Sequence, residues 1–164
     1  MMQDILVFKP ESFKDNRGEL WTLWNKDEFL PRLEFNHDKI ATSKKNVLRG
    51  LHGDNKSWKL ITCLHGEIQL VVVDNRPESE DYLRYRSFIL NGVNKKMVLV
   101  PPMFCNGHLV LSDECVFYYK WAYEGEYPDV DEQISLNWKD PKIGIHWLTD
   151  NPILSERDKN SKFI

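Results

Sequence analysis

KLITCLHGEIQLVVVDNRPES, residues 59–79, reads as two β-strands, each followed by a turn. Branched and apolar residues fill KLITCL and EIQLVVVD, Gly66 stands between them, and DNRPES closes the second run. Such runs suit a pleated surface, and the glycine and proline positions suit its turns. Leu70 to Val73 are apolar at consecutive positions rather than alternate ones. A strand of that kind is covered on both faces, by a barrel interior on one side and by something else on the other. VFYY, residues 116–119, repeats the pattern. A second subunit is the expected outer cover, which makes a homodimer the expected assembly.

Working outward, short strand-like runs recur along the chain: DILVF, ELWTLW, RYRSFIL, KMVLVPP, GHLVL, CVFYYKWAY and QISLNW. KDNRG, HGDNK, LNGVN, LSDE and EGEYPDVDE separate them as turns. Only NKDEFLPRL, residues 25–33, has a helical look, and Pro31 keeps it short. Many strands joined by tight turns predict an all-β sandwich or barrel with few short helices, in a single domain spanning residues 1–164.

The composition is that of a globular chain: 164 residues, 41% hydrophobic and 29% charged, with a formal net charge of -3. So small a net charge gives no reason to expect nucleic acid or an anionic membrane as partner. The longest apolar runs fall far short of a membrane span, and MMQDILVFKP has no signal-peptide pattern. Cys63, Cys105 and Cys115 lie mostly in apolar runs and read as buried thiols of a cytoplasmic protein.

The familiar sequence signatures of chemistry are missing. The five histidines form no H-x-H or H-x-x-x-H pair and the cysteines no C-x-x-C, so no metal is expected, although ligands from distant strands can still converge. There is no Walker or dinucleotide glycine loop, and no nucleophile elbow. What remains is proton transfer. In NVLRGLHGDNKSWKL, residues 46–60, His52 lies between Arg49 and Lys59. Cations beside an imidazole favour its neutral form, the form a general base needs. The same cations can steady an enolate oxygen or a phosphate. Tyr118, Tyr119 and Tyr123 are candidate acids, with Tyr118 and Tyr119 on opposite faces of a strand. Aromatic packing is the alternative reading of these tyrosines, and structural packing that of the histidine.

The chain resembles the dTDP-4-dehydrorhamnose 3,5-epimerases, cupin-fold enzymes of nucleotide-sugar biosynthesis. The resemblance rests on FKDNRGEL (13–20), NVLRGLHGD (46–54), residues 59–79, VLVPPMFCNGHLVLSDECVFYYK (98–120), ISLNWKDPKIGIHW (134–147) and ILSERD (153–158), in family order over nearly the whole chain. It implies a cupin or jelly-roll β-barrel and a cofactor-independent isomerase. Such an enzyme removes a proton beside the ketone of a nucleotide-linked 4-keto sugar, forms an enolate and reprotonates the opposite face. By position, the resemblance makes His52 the base, Asp158 its orienting carboxylate, Tyr119 the proton donor and Lys59 the lysine near the C4 oxygen. Arg49 falls in the pocket, and Arg17 on the nucleotide side, within reach of a partner subunit's site. The alternative for Asp158 is an aspartate in a frayed tail.

The departures fall on substrate contacts. Asn106 stands where the family has a pocket histidine, with His108 two residues on. His37 and Lys39 match a Q-x-N, GD replaces YQ after the RGLH motif, and AYEGEYPD replaces a segment that carries a tyrosine pair. Together they resemble a branch acting on GDP-linked 4-keto heptoses for surface polysaccharide, so the nucleotide is dTDP or GDP. A 3,4-ketoisomerase and a non-catalytic sugar-nucleotide-binding cupin are the competing functions.

Overall fold

The computed structural model describes residues 2–27, 30, 32–128 and 130–164. Two five-stranded antiparallel sheets face each other. The first orders β1 (Leu6–Phe8), β9 (Met97–Val100), β6 (Trp58–His65), β11 (Glu114–Ala122) and β4 (His37–Lys44). The second orders β12 (Ile134–Ser135), β5 (Leu48–Gly53), β10 (Phe104–Val110), β7 (Glu67–Asp74) and β8 (Tyr85–Asn91). A hairpin of β2 (Ser12–Asp15) and β3 (Gly18–Trp21) stands apart from both. This is the all-β jelly-roll barrel of the cupin fold.

The two strands of residues 59–74 do not pair with each other. β6 lies in the first sheet and β7 in the second, so the turn at Gly66 carries the chain across the barrel. Gly66 has φ +76, and a Cβ there would lie 2.2 Å from the Glu114 carbonyl oxygen. The position therefore needs glycine on both counts. Between the sheets Ile61, Ile68, Leu70, Val72, Val98, Val100, Phe104 and Phe117 pack into one buried core.

The outer faces are covered by the chain itself. Val71 and Val73 of β7 pack under Leu136, Ile143 and Trp147, which follow or belong to the C-terminal region. Leu60, Met97 and Leu99 of the first sheet pack under Phe8, Leu23, Trp24, Leu33 and Phe35. The LVVV run is thus covered by the chain itself, so its pattern alone does not call for a second subunit. The expected helix over 25–33 is corrected in part: 25–27, 30, 32 and 33 form turns and irregular backbone, while Glu28, Phe29 and Pro31 lie outside the described residues. The one described α-helix is α1 (Glu156–Lys159), capped by Ser155, whose hydroxyl accepts the Asp158 N–H at 3.2 Å.

Candidate active site

Strict alternation along β5 would send Arg49 and His52 to opposite faces. A bulge prevents this. Asn106 of β10 pairs with His52, but His108 pairs with Arg49, so Gly50 and Leu51 together oppose Gly107. One extra residue resets the alternation. Leu48 and Leu51 go to the outer core, and Arg49 and His52 both line the cavity inside. Glycines permit this crossing. Gly50 has φ +128, and a Cβ on it would lie 2.5 Å from Gly107 Cα.

β12 then runs beside β5, with Ser135 opposite His52, and Leu48 N–H donates to the Ile153 carbonyl at 3.0 Å. These contacts bring α1 back over the strand. Asp158 is 2% exposed, so it is no frayed tail residue. Its Oδ1 lies 2.7 Å from His52 Nε2, and its Oδ2 accepts the Gly50 N–H at 3.4 Å. Burial alone would raise this carboxyl; the bonds from His52, Ser155 and Gly50 outweigh it and hold the group below the ordinary carboxylate range. With Nε2 committed to Asp158, Nδ1 is the ring nitrogen left to exchange a proton.

The opposite wall comes from β11 in the first sheet. Phe117, Tyr119 and Trp121 recur at every second position and form a ladder of rings, with centroids 5.0 and 5.5 Å apart. All three line the cavity, whose volume is about 670 Å³. Burial, then the neighbouring Tyr127, push the Tyr119 phenol up to about 12, so it is protonated at neutral pH. Tyr118 points the other way and donates to Asp38 at 3.0 Å. His108 also lines the cavity, stacked on Phe117 with ring centroids 4.0 Å apart and planes 11° apart, and Asn106 lies beside it on β10. Burial, then Arg49 and His52, lower His108 to about 3.

Lys59 reaches the same cavity from β6, 4.5 Å over the Trp121 ring. Its Nζ lies 3.2 Å from Asp54 Oδ2, with the two side chains 6% and 1% exposed. His52 therefore does not face unbalanced cations, as its place in the sequence suggested. One cation is paired with Asp54, and the ring itself is bonded to a carboxylate. Arg49 Nε donates to Ser43 Oγ at 3.1 Å, linking the two sheets beside the cavity.

The remaining expected residues stand farther back. Arg17 is at the turn of the β2–β3 hairpin, 85% exposed in its side chain and paired with Asp15 at 2.6 Å; it does not line this cavity. His37 and Lys39, on the edge strand β4, stand behind the cavity wall. His37 Nδ1 is bonded to the Tyr123 hydroxyl at 3.0 Å, and Lys39 is bonded to the Tyr127 hydroxyl. Tyr123 and Tyr127 thus supply a tyrosine pair in AYEGEYPD, with centroids 5.9 Å apart.

Several residues here were not singled out from sequence. Tyr127 lines the cavity, as does Arg157, which donates to Gln133 at 3.2 Å and Ser135 at 2.8 Å. The signal for Trp121 was available, since it continues the period of two from Phe117. Arg157 had only its place next to Asp158. Among the described residues no cluster of three or more His, Cys, Asp or Glu is arranged to hold a metal ion.

Known proteins resemble this chain in sequence and in fold. The family described as dTDP-4-dehydrorhamnose 3,5-epimerase matches residues 1–164. A protein of that name from Shigella flexneri is 36% identical, over 98% of this chain and 92% of its own length. The crystal structure of one from Elizabethkingia anophelis NUHP1 has a TM-score of 0.87 at 33% identity, over 98% of this chain and 91% of that one. The Legionella pneumophila Philadelphia 1 dTDP-6-deoxy-D-glucose-3,5-epimerase, in complex with dTDP-4-keto-L-rhamnose, has a TM-score of 0.90 at 30% identity, over 98% and 87%. The cupin barrel and these relatives define the class of protein, a carbohydrate epimerase among the isomerases. The chain belongs to the dTDP-4-dehydrorhamnose 3,5-epimerase family.

Proposed function

We propose that the protein epimerises a dTDP-linked 4-keto-6-deoxyhexose beside its ketone, at C3, C5 or both, without a cofactor. The carrying observation is the His52–Asp158 pair on one wall of a cavity whose other wall presents Tyr119. The C4 ketone acidifies the neighbouring C–H bonds. His52 Nδ1 takes the proton, and Asp158 supports the imidazolium that results. The electron pair moves onto the C4 oxygen, where Lys59 and Arg49 face the enolate charge. Tyr119 returns a proton from the opposite side, which inverts the centre. Asn106, His108, Tyr127 and Arg157 line the same space and contact the sugar and its phosphates. Lys39 holds Tyr127, which lines the cavity, and His37 holds Tyr123 behind it.

The test is incubation with dTDP-4-keto-6-deoxyglucose in D2O, followed by mass and proton NMR. One deuterium marks one centre, two mark both, and a 3-keto product would mark a ketoisomerase. No uptake, with either this substrate or a GDP-linked 4-keto sugar, sinks the reading and leaves a binding protein.

A second reading, a GDP-linked 4-keto heptose on a route to surface polysaccharide, draws on the changed contacts at His37, Lys39, Asp54, Asn106 and His108. Comparing kcat/KM for the two nucleotides separates them. The chain acts as one domain over residues 1–164 and as a homodimer. Phe13 and Leu20 form a cross-strand pair on the outlying hairpin, each 73% exposed, which supports a second copy as their cover, with Arg17 reaching toward that copy's site. A sedimentation mass of one chain would overturn the dimer. A cytoplasmic setting fits three unpaired, buried cysteines. No described helix is long and apolar enough to cross a membrane.

A further inference from the structure

We propose that Asp54 is a positioning residue for the epimerisation: from behind Lys59 it keeps that side chain a cation aimed into the cavity. This rests on the reading above that Lys59 faces the enolate oxygen. Asp54 does not line the cavity, so it acts through Lys59 and not on the sugar.

The geometry is that of a fixed counter-charge. Asp54 Oδ1 accepts the N–H groups of Lys56 at 3.1 Å and Ser57 at 2.6 Å, so the carboxylate cannot swing away. The Asp54 carbonyl also accepts the Met103 N–H at 2.7 Å, which ties the turn to the start of β10. Oδ2 is buried without a hydrogen bond, and Lys59 Nζ stands 3.2 Å from it. The other groups around Lys59 do not share this task. Lys39, on β4, has the same sign of charge. The Cys105 thiol, on β10, is pushed up to about 12 by burial and stays neutral. Trp121, on β11, offers its ring face.

A buried ammonium needs such a partner. Burial pulls the Lys59 pKa down, and Asp54 is the leading influence that raises it. An uncharged amine at Lys59 would donate weakly to an enolate and could not balance its charge. Asp54 therefore decides whether the enolate meets a cation at working pH.

Asp54→Asn is a close test, because the amide oxygen can keep both backbone bonds while the charge is lost. The readout is the pH profile of deuterium uptake into dTDP-4-keto-6-deoxyglucose. The alkaline limb should move toward neutrality, with uptake falling about tenfold near pH 8 and largely retained near pH 6, the loss expected for a downward shift of about one unit. A profile with unchanged midpoints, at whatever height, overturns the proposal. Lys59→Met separates the two layers. It should lower uptake at every pH, and adding Asp54→Asn to it should cost nothing further. Uptake at the unmutated rate in Lys59→Met would instead overturn the role of Lys59 itself, and the proposal with it. If Asp54→Asn does not fold, the 15N shift of Lys59 Nζ in the unmutated protein carries the test. An ammonium persisting to about pH 8 supports the proposal, and an amine already at about pH 7 overturns it.

Discussion

At Asp158, replacement by asparagine keeps the size of the side chain against His52 Nε2 and removes its charge. The imidazolium formed during proton abstraction then loses its support, and the amide can hold the ring in the wrong tautomer. Asp158→Asn should lower the rate of deuterium uptake by about 10²–10⁴-fold with little change in KM, as measured by steady-state kinetics. Tyr119→Phe removes the donor and leaves the base. Uptake should persist at one or both centres while formation of the inverted product falls by about 10²-fold or more, a split that NMR of the product resolves. Loss of both together would mean that Tyr119 does not act after the base. His52 and Tyr119 were legible as candidates because their residue types suit the chemistry, but packing was the default reading of each until the resemblance to a family was drawn. Asp158 was legible only through resemblance to a family. Nothing in LSERD itself says that a short helix returns to β5 with its third residue buried. Asp54 was visible as an unusual residue after RGLH, yet its pairing with Lys59 depends on how the turn between them folds.

One element does most to assemble the site, the bulged strand β5. The spacing of Arg49 and His52 looks wrong for a shared face until Gly50 and Leu51 are seen to oppose Gly107. Periodicity finds regular strands and cannot find a residue that breaks the count. A different limit hid β4. Its burial alternates along all of HDKIATSK, but the inward side chains include His37, Lys39 and Ser43, so no apolar stripe announces the strand. By contrast β6, β7 and β11 were legible because their apolar residues are dense. Gly50→Ala tests the bulge. Its Cβ would meet Gly107 backbone at 2.5 Å in a conformation that side chains rarely adopt. Relief requires the two strands to part, so the variant should lose roughly 2–4 kcal/mol of stability in urea unfolding, from strain and overpacking together. Folded variant should also lose activity, because Arg49 and His52 no longer share a wall. A loss within about 0.5 kcal/mol would show that the close approach of β5 and β10 is not needed.

For the molecule as a whole, the barrel and the site draw on the same interior. The jelly-roll was legible from strand density, whereas the identity of the outer covers was not, since a sequence does not say which segment folds over which sheet. The C-terminal region that covers Val71 and Val73 also delivers Asp158, so one segment both seals the second sheet and completes the dyad. The price of a polar interior appears in His108. It is buried, its Nε2 has no hydrogen-bond partner, and burial pulls its pKa down to about 3 from an ordinary value of 6.5. Between those values the unfolded chain binds a proton there that the folded chain does not. Stability from this group is thus complete above about pH 6.5 and is lost progressively as pH falls toward about 3. Asp158, also held low, adds to the loss at the acid end, below the ordinary carboxylate range. His108→Phe keeps a flat ring against Phe117 and removes the titration. Its unfolding free energy should fall less steeply between about pH 6.5 and 4 than that of the unmutated protein, measured by urea unfolding at each pH. Parallel curves would mean that His108 takes up its proton without unfolding the barrel. The comparison also separates fold from function, because the burial that makes His108 an acid liability leaves a neutral imidazole beside Asn106 on β10, across the cavity from Tyr119.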